Sequence, residues 1–310
     1  MRCVILGGAG FLGRHVGRAM HEAGWSVWSV DRMGLGPNAD WLEGEVIAAY
    51  HDVSTWWRAV GEVDTIIHLA SSTVPASANA DPVEDIHANL IGMLKLLEEL
   101  RERNARPKLL FASSGGAVYG RPQSVPIAES HPTIPMGCYG VTKMAVEHHL
   151  RLEEATHGLP YRILRLSNPY GEWQRPQSQQ GVIAVFAHRA LMSQPLDVWG
   201  DGSVIRDFVH ASDVGRAFVA ASDHAGSSRI FNIGGGRGFS VNEIIETLEG
   251  IVGGVLERNV HPSRPFDPSV NVLDINRARN ELGWEPVISF NAGVQKTFEW
   301  LRNYCLQQKI

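Results

Sequence analysis

Cysteine is scarce in this chain: three in 310 residues, Cys3, Cys138 and Cys305, at no paired spacing. That argues against a disulfide scaffold and against a zinc site, so no metal is expected. Long apolar runs are missing too. No stretch approaches the roughly 18 apolar residues of a membrane span. The opening MRCVILGGAG holds too short an apolar run for a secretion signal, and no small-residue cleavage site follows it. The cytoplasm is the expected location. A basic surplus is also absent: the net charge is −5 and the pI is near 6.2, which argues against a nucleic-acid surface. Nor is there an internal repeat, a low-complexity tract or an evident linker. What remains is an ordinary globular composition, 44% hydrophobic and 20% charged. The length suits one large domain or two smaller ones sharing a core.

In the first half, short apolar runs alternate with helical patterns. RCVIL (2–6), WSVWSV (25–30), GEVIAAY (44–50), DTIIHLA (64–70), KLLFAS (108–113) and YRILRLS (161–167) read as strands, with helices expected at 11–23, 54–60, 84–103 and 139–157. This order, with strands apolar on both faces, predicts an α/β fold: a Rossmann-type doubly wound parallel sheet covered by helices. After Asn168 loops lengthen, and proline, glycine and glutamine become frequent (NPYGEWQRPQSQQG). Helices near 182–193, 212–222, 240–251 and 291–304 and strands near 196–199 and 229–233 suggest a smaller mixed α/β lobe. The expected division is 1–167, with a returning segment at about 206–232, against 168–205 and 233–310, with a cleft between.

VILGGAGFLGRHV sets Gly7, Gly8, Gly10 and Gly13 between a strand and a helix. Small residues allow a tight turn close to a pyrophosphate, and the helix N-terminus offers free N–H groups to it. The next strand ends at Asp31, whose carboxylate suits ribose hydroxyls and repels a 2′-phosphate; this favours NAD over NADP, although Arg32 could hold such a phosphate. A second cluster, GGGRGFS at 234–240, has no acidic residue ending a following strand and reads as a flexible turn.

The run PKLLFASSGGAVYG ends a strand in Ser113 and Ser114, and CYGVTKMAVEHHL opens a helix with Tyr139 and Lys143 four residues apart, on one face. A neighbouring ammonium, with a cationic nicotinamide ring, would lower the phenol's pKa and make Tyr139 a general base. Lys143 would also hold the nicotinamide ribose.

With these motifs the chain resembles the extended short-chain dehydrogenase/reductase family, in particular its NAD-dependent nucleotide-sugar epimerase/dehydratase group. The likeness runs through GGAGFLG, Asp31, HDV (51–53), HLAS (68–71), Asn89, SSGGAVYG, Tyr139-x-x-x-Lys143, SNPYG (167–171), GDGSVIRDFVHASDV (200–214) and SRPFDPSV…ELGWEP. It implies NAD held by Gly7, Gly10, Phe11, Leu12 and Gly13, by Asp31 and Arg32, and by Asp52 and Val53 at the adenine. Leu69, Ala70 and Ser71 would line the cofactor with Asn89 behind it, and Ser113, Tyr139, Lys143 and Ser167 would complete that site. Substrate contacts would come from Ser114, Gly115, Asn168, Val182, Val198, Trp199, Arg206, Arg264, Asp267 and Asn271, the arginines because guanidinium forks match phosphate oxygens. His210 and Asp213 would be structural.

The family's catalytic serine or threonine falls on Gly115, and the acid that dehydrating or decarboxylating members carry next falls on Gly116 or Ala117. Leu6 stands where threonine is frequent. The resemblance therefore implies C4 epimerisation of a UDP-sugar, catalysed by Tyr139, Lys143 and a serine, with Ser114 preferred to Ser113. The alternatives are an NAD(P)H-dependent reductase, or a dehydratase, of a nucleotide-linked keto-deoxysugar, and a non-catalytic dinucleotide sensor. The small Asn271 leaves width for an N-acetylated sugar. A homodimer through the helices at 84–103 and 139–157 is expected, where Ile91, Leu94 and Leu97 supply apolar surface.

Overall fold

The computed structural model describes residues 1–36, 39–176, 181–263 and 268–308. Its centre is a seven-stranded sheet in which every pairing is parallel. The strands are β1 (Arg2–Leu6), β2 (Ser26–Asp31), β3 (Gly44–Ile47), β4 (Thr65–His68), β5 (Lys108–Ser114), β6 (Tyr161–Leu166) and β10 (Ile230–Ile233), in the order β10-β6-β5-β4-β1-β2-β3. The doubly wound reading is therefore correct. The third and fourth strands are shorter than the apolar runs GEVIAAY and DTIIHLA suggest, because the chain leaves the sheet early to shape its carboxyl edge.

Period-two alternation gives both sheet faces an apolar surface. Cys3 and Ile5 of β1, with Leu110 and Leu164, face α1 (Phe11–Glu22) and α8 (Ala211–Asp223), which supply Val16, Met20, Val214 and Phe218. Val4, Leu6, Leu109 and Phe111 face α2 (Val53–Val60), α5 (Gly92–Glu102) and α6 (Cys138–His157), which supply Trp56, Met93, Leu96, Val146 and Leu150. Each such side chain, fully buried, contributes about 1.5–3 kcal/mol. Leu97 belongs to this second core and is buried within the chain.

The pattern expected as one helix over 84–103 is divided. After α3 (Pro75–Ala80), α4 (Pro82–Asp85) passes into a π-helical segment, Ile86–Ile91, and then into α5. The side chain of Asn89 donates to both the carbonyl and the carboxylate of Asp85, at 3.2 and 2.9 Å, one turn earlier. A side chain inserted into the backbone ladder in this way widens the turn.

A third core gathers Tyr170, Phe186, Val198, Phe208, Ile244 and Phe298. It lies among α7 (Val182–Leu191), β8 (Leu196–Trp199), α9 (Val241–Val252) and α11 (Phe290–Gln308), with α10 (Asn276–Leu282) beside β10. Two small sheets go with it. In one, β9 (Ile205–His210) pairs with β7 (Asn168–Tyr170), β11 (Gly238–Ser240) and β13 (Val270–Asn271); in the other, β8 pairs with β12 (Arg258–His261). The glycine cluster at 234–240 is a packed turn at 234–237 leading into β11, and Gly235 N–H donates to the buried Asp207 carboxylate at 2.6 Å. Among the described residues no helix is long and apolar enough to cross a membrane.

His15 of α1 fastens the loop after β7: its Nε2 donates to the Glu172 carbonyl at 3.0 Å, and its ring meets Trp173 edge-on. Burial pushes His15 down to about 4, against a small opposing pull from Glu172. The folded chain thus resists a proton that the unfolded chain accepts at about 6.5. The associated stability is present above pH 6.5 and is lost as the pH falls towards 4, on the order of 3 kcal/mol in all. Urea unfolding of wild type and His15→Asn across this range is expected to give a steeper acid loss for wild type; parallel curves would contradict it.

Candidate active site

All seven strands point one way, so their carboxyl ends share an edge, and the candidate residues collect there. Gly7 closes β1 with φ +92°, and a Cβ on it would lie 2.7 Å from the Ala70 backbone nitrogen, so only glycine lets the β1 and β4 ends approach so closely. No side chain caps the start of α1, which leaves its first N–H groups for an anion. The Asp31 carboxylate accepts from Ala9 N at 3.0 Å and bends the glycine turn towards the end of β2. Gly7, Gly10, Asp31, Arg32, Leu69, Ala70 and Ser71 line one cleft of about 520 Å³.

Phe11, Leu12 and Gly13 form the first turn of α1 beside this cleft. The cleft is also lined by Ala48–Tyr50, His87 and Lys95, which the motifs did not disclose, and by His51 of the HDV motif. Asp52 follows directly and caps α2, accepting from Thr55 N, while Val53 is fully buried in the second core. Asn89 lies behind this lining, and its Oδ1 accepts from Ser72 N at 3.3 Å. Ser71 turns its hydroxyl onto the Thr73 carbonyl.

The two serines at the end of β5 have different surroundings. Ser113 is buried, and its hydroxyl donates to Glu147 at 2.5 Å beneath the sheet edge. Ser114 is half-exposed, with its side chain on the opposite side of the strand. Gly115 packs against Leu273: a Cβ there would lie 2.6 Å from Leu273 Cδ1, so a side chain at this position would require Leu273 to shift.

Tyr139 stands in the first turn of α6, whose start is pinned by Asn79 accepting from Cys138 N at 2.9 Å. Lys143 is buried one turn on, donates to the Ala112 carbonyl at 3.0 Å, and lies 4.7 Å from the Phe111 ring centroid and 5.5 Å from that of Tyr139. Burial, followed by the charge of Asp85, pushes the phenol up to about 12, and burial pushes the ammonium down to about 8. Without a bound cofactor, desolvation dominates at both groups, and the Lys143 ammonium is turned towards a carbonyl.

Below this pair lies a polar network. Arg165 of β6 donates to Glu147 through Nε at 3.1 Å and Nη2 at 2.6 Å, and both side chains are buried. Nη1 of Arg165 donates to the Tyr119 hydroxyl, which in turn donates to Asn232.

Beyond β6, Ser167 is buried and Asn168 Nδ2 donates to the Asp207 carbonyl at 2.8 Å. The Asp207 carboxylate accepts from Gly235 N and Leu273 N, and burial raises it to about 6. Asn271 is buried beside Arg206, which donates to the Pro268 carbonyl. Val182 begins α7 and is half-buried. Val198 is turned into the third core, whereas Trp199 is 43% exposed and stacks on His261 at 5.1 Å. Arg264 and Asp267 lie outside the described residues.

Residues 3–234 match the model of the "NAD dependent epimerase/dehydratase family". A UDP-glucose 4-epimerase of Mycolicibacterium smegmatis is 33% identical over 98% of this chain and 99% of its own. Among solved structures, a UDP-glucose 4-epimerase of Thermotoga maritima with UDP-glucose superposes with TM-score 0.90 at 33% identity, covering 98% of this chain and 99% of that one. A Thermus thermophilus UDP-glucose 4-epimerase in complex with NAD gives TM-score 0.88 at 30% identity, covering 97% and 99%.

Glu147→Gln leaves Arg165 charged and unpaired in the interior, so a loss of about 3–5 kcal/mol in urea unfolding is expected. The double variant Glu147→Gln/Arg165→Met should recover much of it; strictly additive losses would contradict the pairing.

Proposed function

The chain belongs to the NAD dependent epimerase/dehydratase family, and from that premise we propose that it epimerises a UDP-sugar at C4, with NAD, through a transient 4-keto sugar. The observation that carries this reading is the Tyr139–Lys143 pair at the same sheet edge as a glycine-turned cleft ending at Asp31. The cleft fits a dinucleotide. Its glycine turn excludes side chains, α1 offers uncapped N–H groups, and Asp31 supplies a carboxylate for ribose hydroxyls. Asp52, Val53, Leu69, Ala70, Ser71, Asn89, Ser113 and Ser167 are read as its further surroundings. Bound there, NAD supplies a hydride acceptor and donor and a positively charged ring.

Tyr139 takes the proton of the sugar 4-hydroxyl and later returns it, and Ser114 holds the 4-oxygen. Ser113 is disfavoured for that task by its bond to Glu147. Lys143 holds ribose hydroxyls and favours the phenolate. In the free chain the phenol lies near 12 and the ammonium near 8; a positively charged ring close to the phenol would lower it towards the working range of a general base. No acid follows the serines, which favours epimerisation over elimination. Residues 1–167 with 206–232 are read as the cofactor lobe; 168–205 and 233–310 would bind the nucleotide sugar through Asn168, Val182, Val198, Trp199, Arg206 and Asn271, with Arg264 and Asp267. A homodimer is also read here, since Val141 and Leu152 expose apolar surface on α6 at 55% and 54%; a light-scattering mass near that of one chain, 34.1 kDa, would contradict it. A place in polysaccharide synthesis in the cytoplasm fits this chemistry.

Incubation with UDP-glucose, UDP-N-acetylglucosamine and UDP-glucuronate in the presence of NAD is expected to yield the C4 epimer of at least one. No interconversion of any would sink the proposal, and stoichiometric consumption of NADH or NADPH would indicate a reductase. Tyr139→Phe should lower kcat about 10²–10⁴-fold. Ser114→Ala should lose more turnover than Ser113→Ala; the reverse order would transfer the role to Ser113.

A further inference from the structure

We propose that Asp85 is the counter-ion of Lys143, a positioning residue that keeps the ammonium charged and so sets the pH range in which Tyr139 and Lys143 work together. This rests on the reading of that pair given above, but its first test does not.

The inference follows from pairing the buried charges around Lys143. From its own helix come Glu147 and Tyr139; from β6 comes Arg165, from β4 His68, and from the end of α4 Asp85. His68 is held neutral: burial, followed by Lys143, pushes it down to about 3. Glu147 is matched by Arg165 in two contacts. The strand β5 contributes only the Ala112 carbonyl and the Phe111 ring. One cation, Lys143, and one anion, Asp85, are left.

Asp85 is fully buried within a ring of neutral donors. Oδ1 accepts from Asn89 Nδ2 at 2.9 Å and from Thr73 Oγ1, and Oδ2 accepts from Thr142 Oγ1 at 2.5 Å. Thr142 directly precedes Lys143, so Asp85 grips the catalytic helix where the lysine leaves it. Among the described residues neither Asp85 nor Lys143 makes a contact ion pair, with the other or with any third group, so the pairing acts through space, past Thr142. A buried charge without a counter-charge is unfavourable, so the two neutralise each other across the helix. Asp85 is accordingly the leading influence that opposes the burial of Lys143, ahead of Glu147. The same negative charge holds the Tyr139 phenol up.

Removing the charge should therefore move both groups the same way. Lys143 must stay protonated, which sets the alkaline limit of activity; Tyr139 must lose its proton, which sets the acid limit. In Asp85→Asn both limits should move to lower pH, whereas damage to the scaffold would lower activity without moving them.

The first experiment uses the cofactor-free chain carrying isotope-labelled lysine, with the Lys143 side-chain NMR signal assigned by its loss in Lys143→Met. Asp85→Asn is expected to lower the titration midpoint of that signal by about one pH unit or more; an unmoved midpoint overturns the proposal. A thermal-unfolding cycle gives a second test should Asp85→Asn fold poorly. The double variant Asp85→Asn/Lys143→Met is expected to be more stable than the sum of the single losses allows, and additive losses overturn the pairing. In the pH profile of kcat/KM, a lowered curve at an unchanged position also counts against it. Absence of epimerisation by wild type would instead defeat the functional reading and leave the Lys143 titration standing.

Discussion

The ion pair between Glu147 and Arg165 joins the helix that carries Tyr139 to the strand that leads into Asn168. Each partner would be strongly unfavourable alone in an apolar interior, so each fixes the other, and the elements behind them, to within hydrogen-bond tolerance. Ser113 adds the end of β5 to the same carboxylate, and Tyr119 extends the contact to Asn232 under the smaller lobe. The helix carrying Tyr139, the serine-bearing end of β5 and the strand leading into Asn168 are thus tied together through one buried pair.

Asp207 is the corresponding joint on the other side. It sits on β9, whose Val209 belongs to a core of the large sheet and whose Phe208 belongs to the third core. Its two oxygens receive the backbone of the 234–236 turn and of the segment after β13, and its own carbonyl receives Asn168. Both joints are buried carboxylates satisfied by well-aligned donors, which is how an interior tolerates them.

The large sheet was legible in the sequence because its strands are apolar on both faces and its helices have a clear stripe, as in Val4 and Leu6 against Cys3 and Ile5. The glycine turn, Asp31, Tyr139 and Lys143 were legible because spacing and chain order carry their chemistry. The break in 84–103 was not, because it arises from Asn89 bonding back to Asp85, and helical periodicity alone does not register a widened turn. Short strands such as β7, β11 and β13 leave too few residues for any period to emerge. The cleft lining at Ala48–Tyr50 and at His87 and Lys95 carries no motif, and the pairing of Arg165 with Glu147 depends on a strand and a helix meeting in space. The two serines became distinguishable only when Ser113 was found bonded beneath the edge.

The packing of Gly115 on Leu273 gives the floor of the site an owner far along the chain. A hydroxyl-bearing residue at 115 and a leucine at 273 compete for one volume, so among relatives of this fold the two positions are expected to covary. Where 115 carries serine or threonine, 273 should shrink or withdraw.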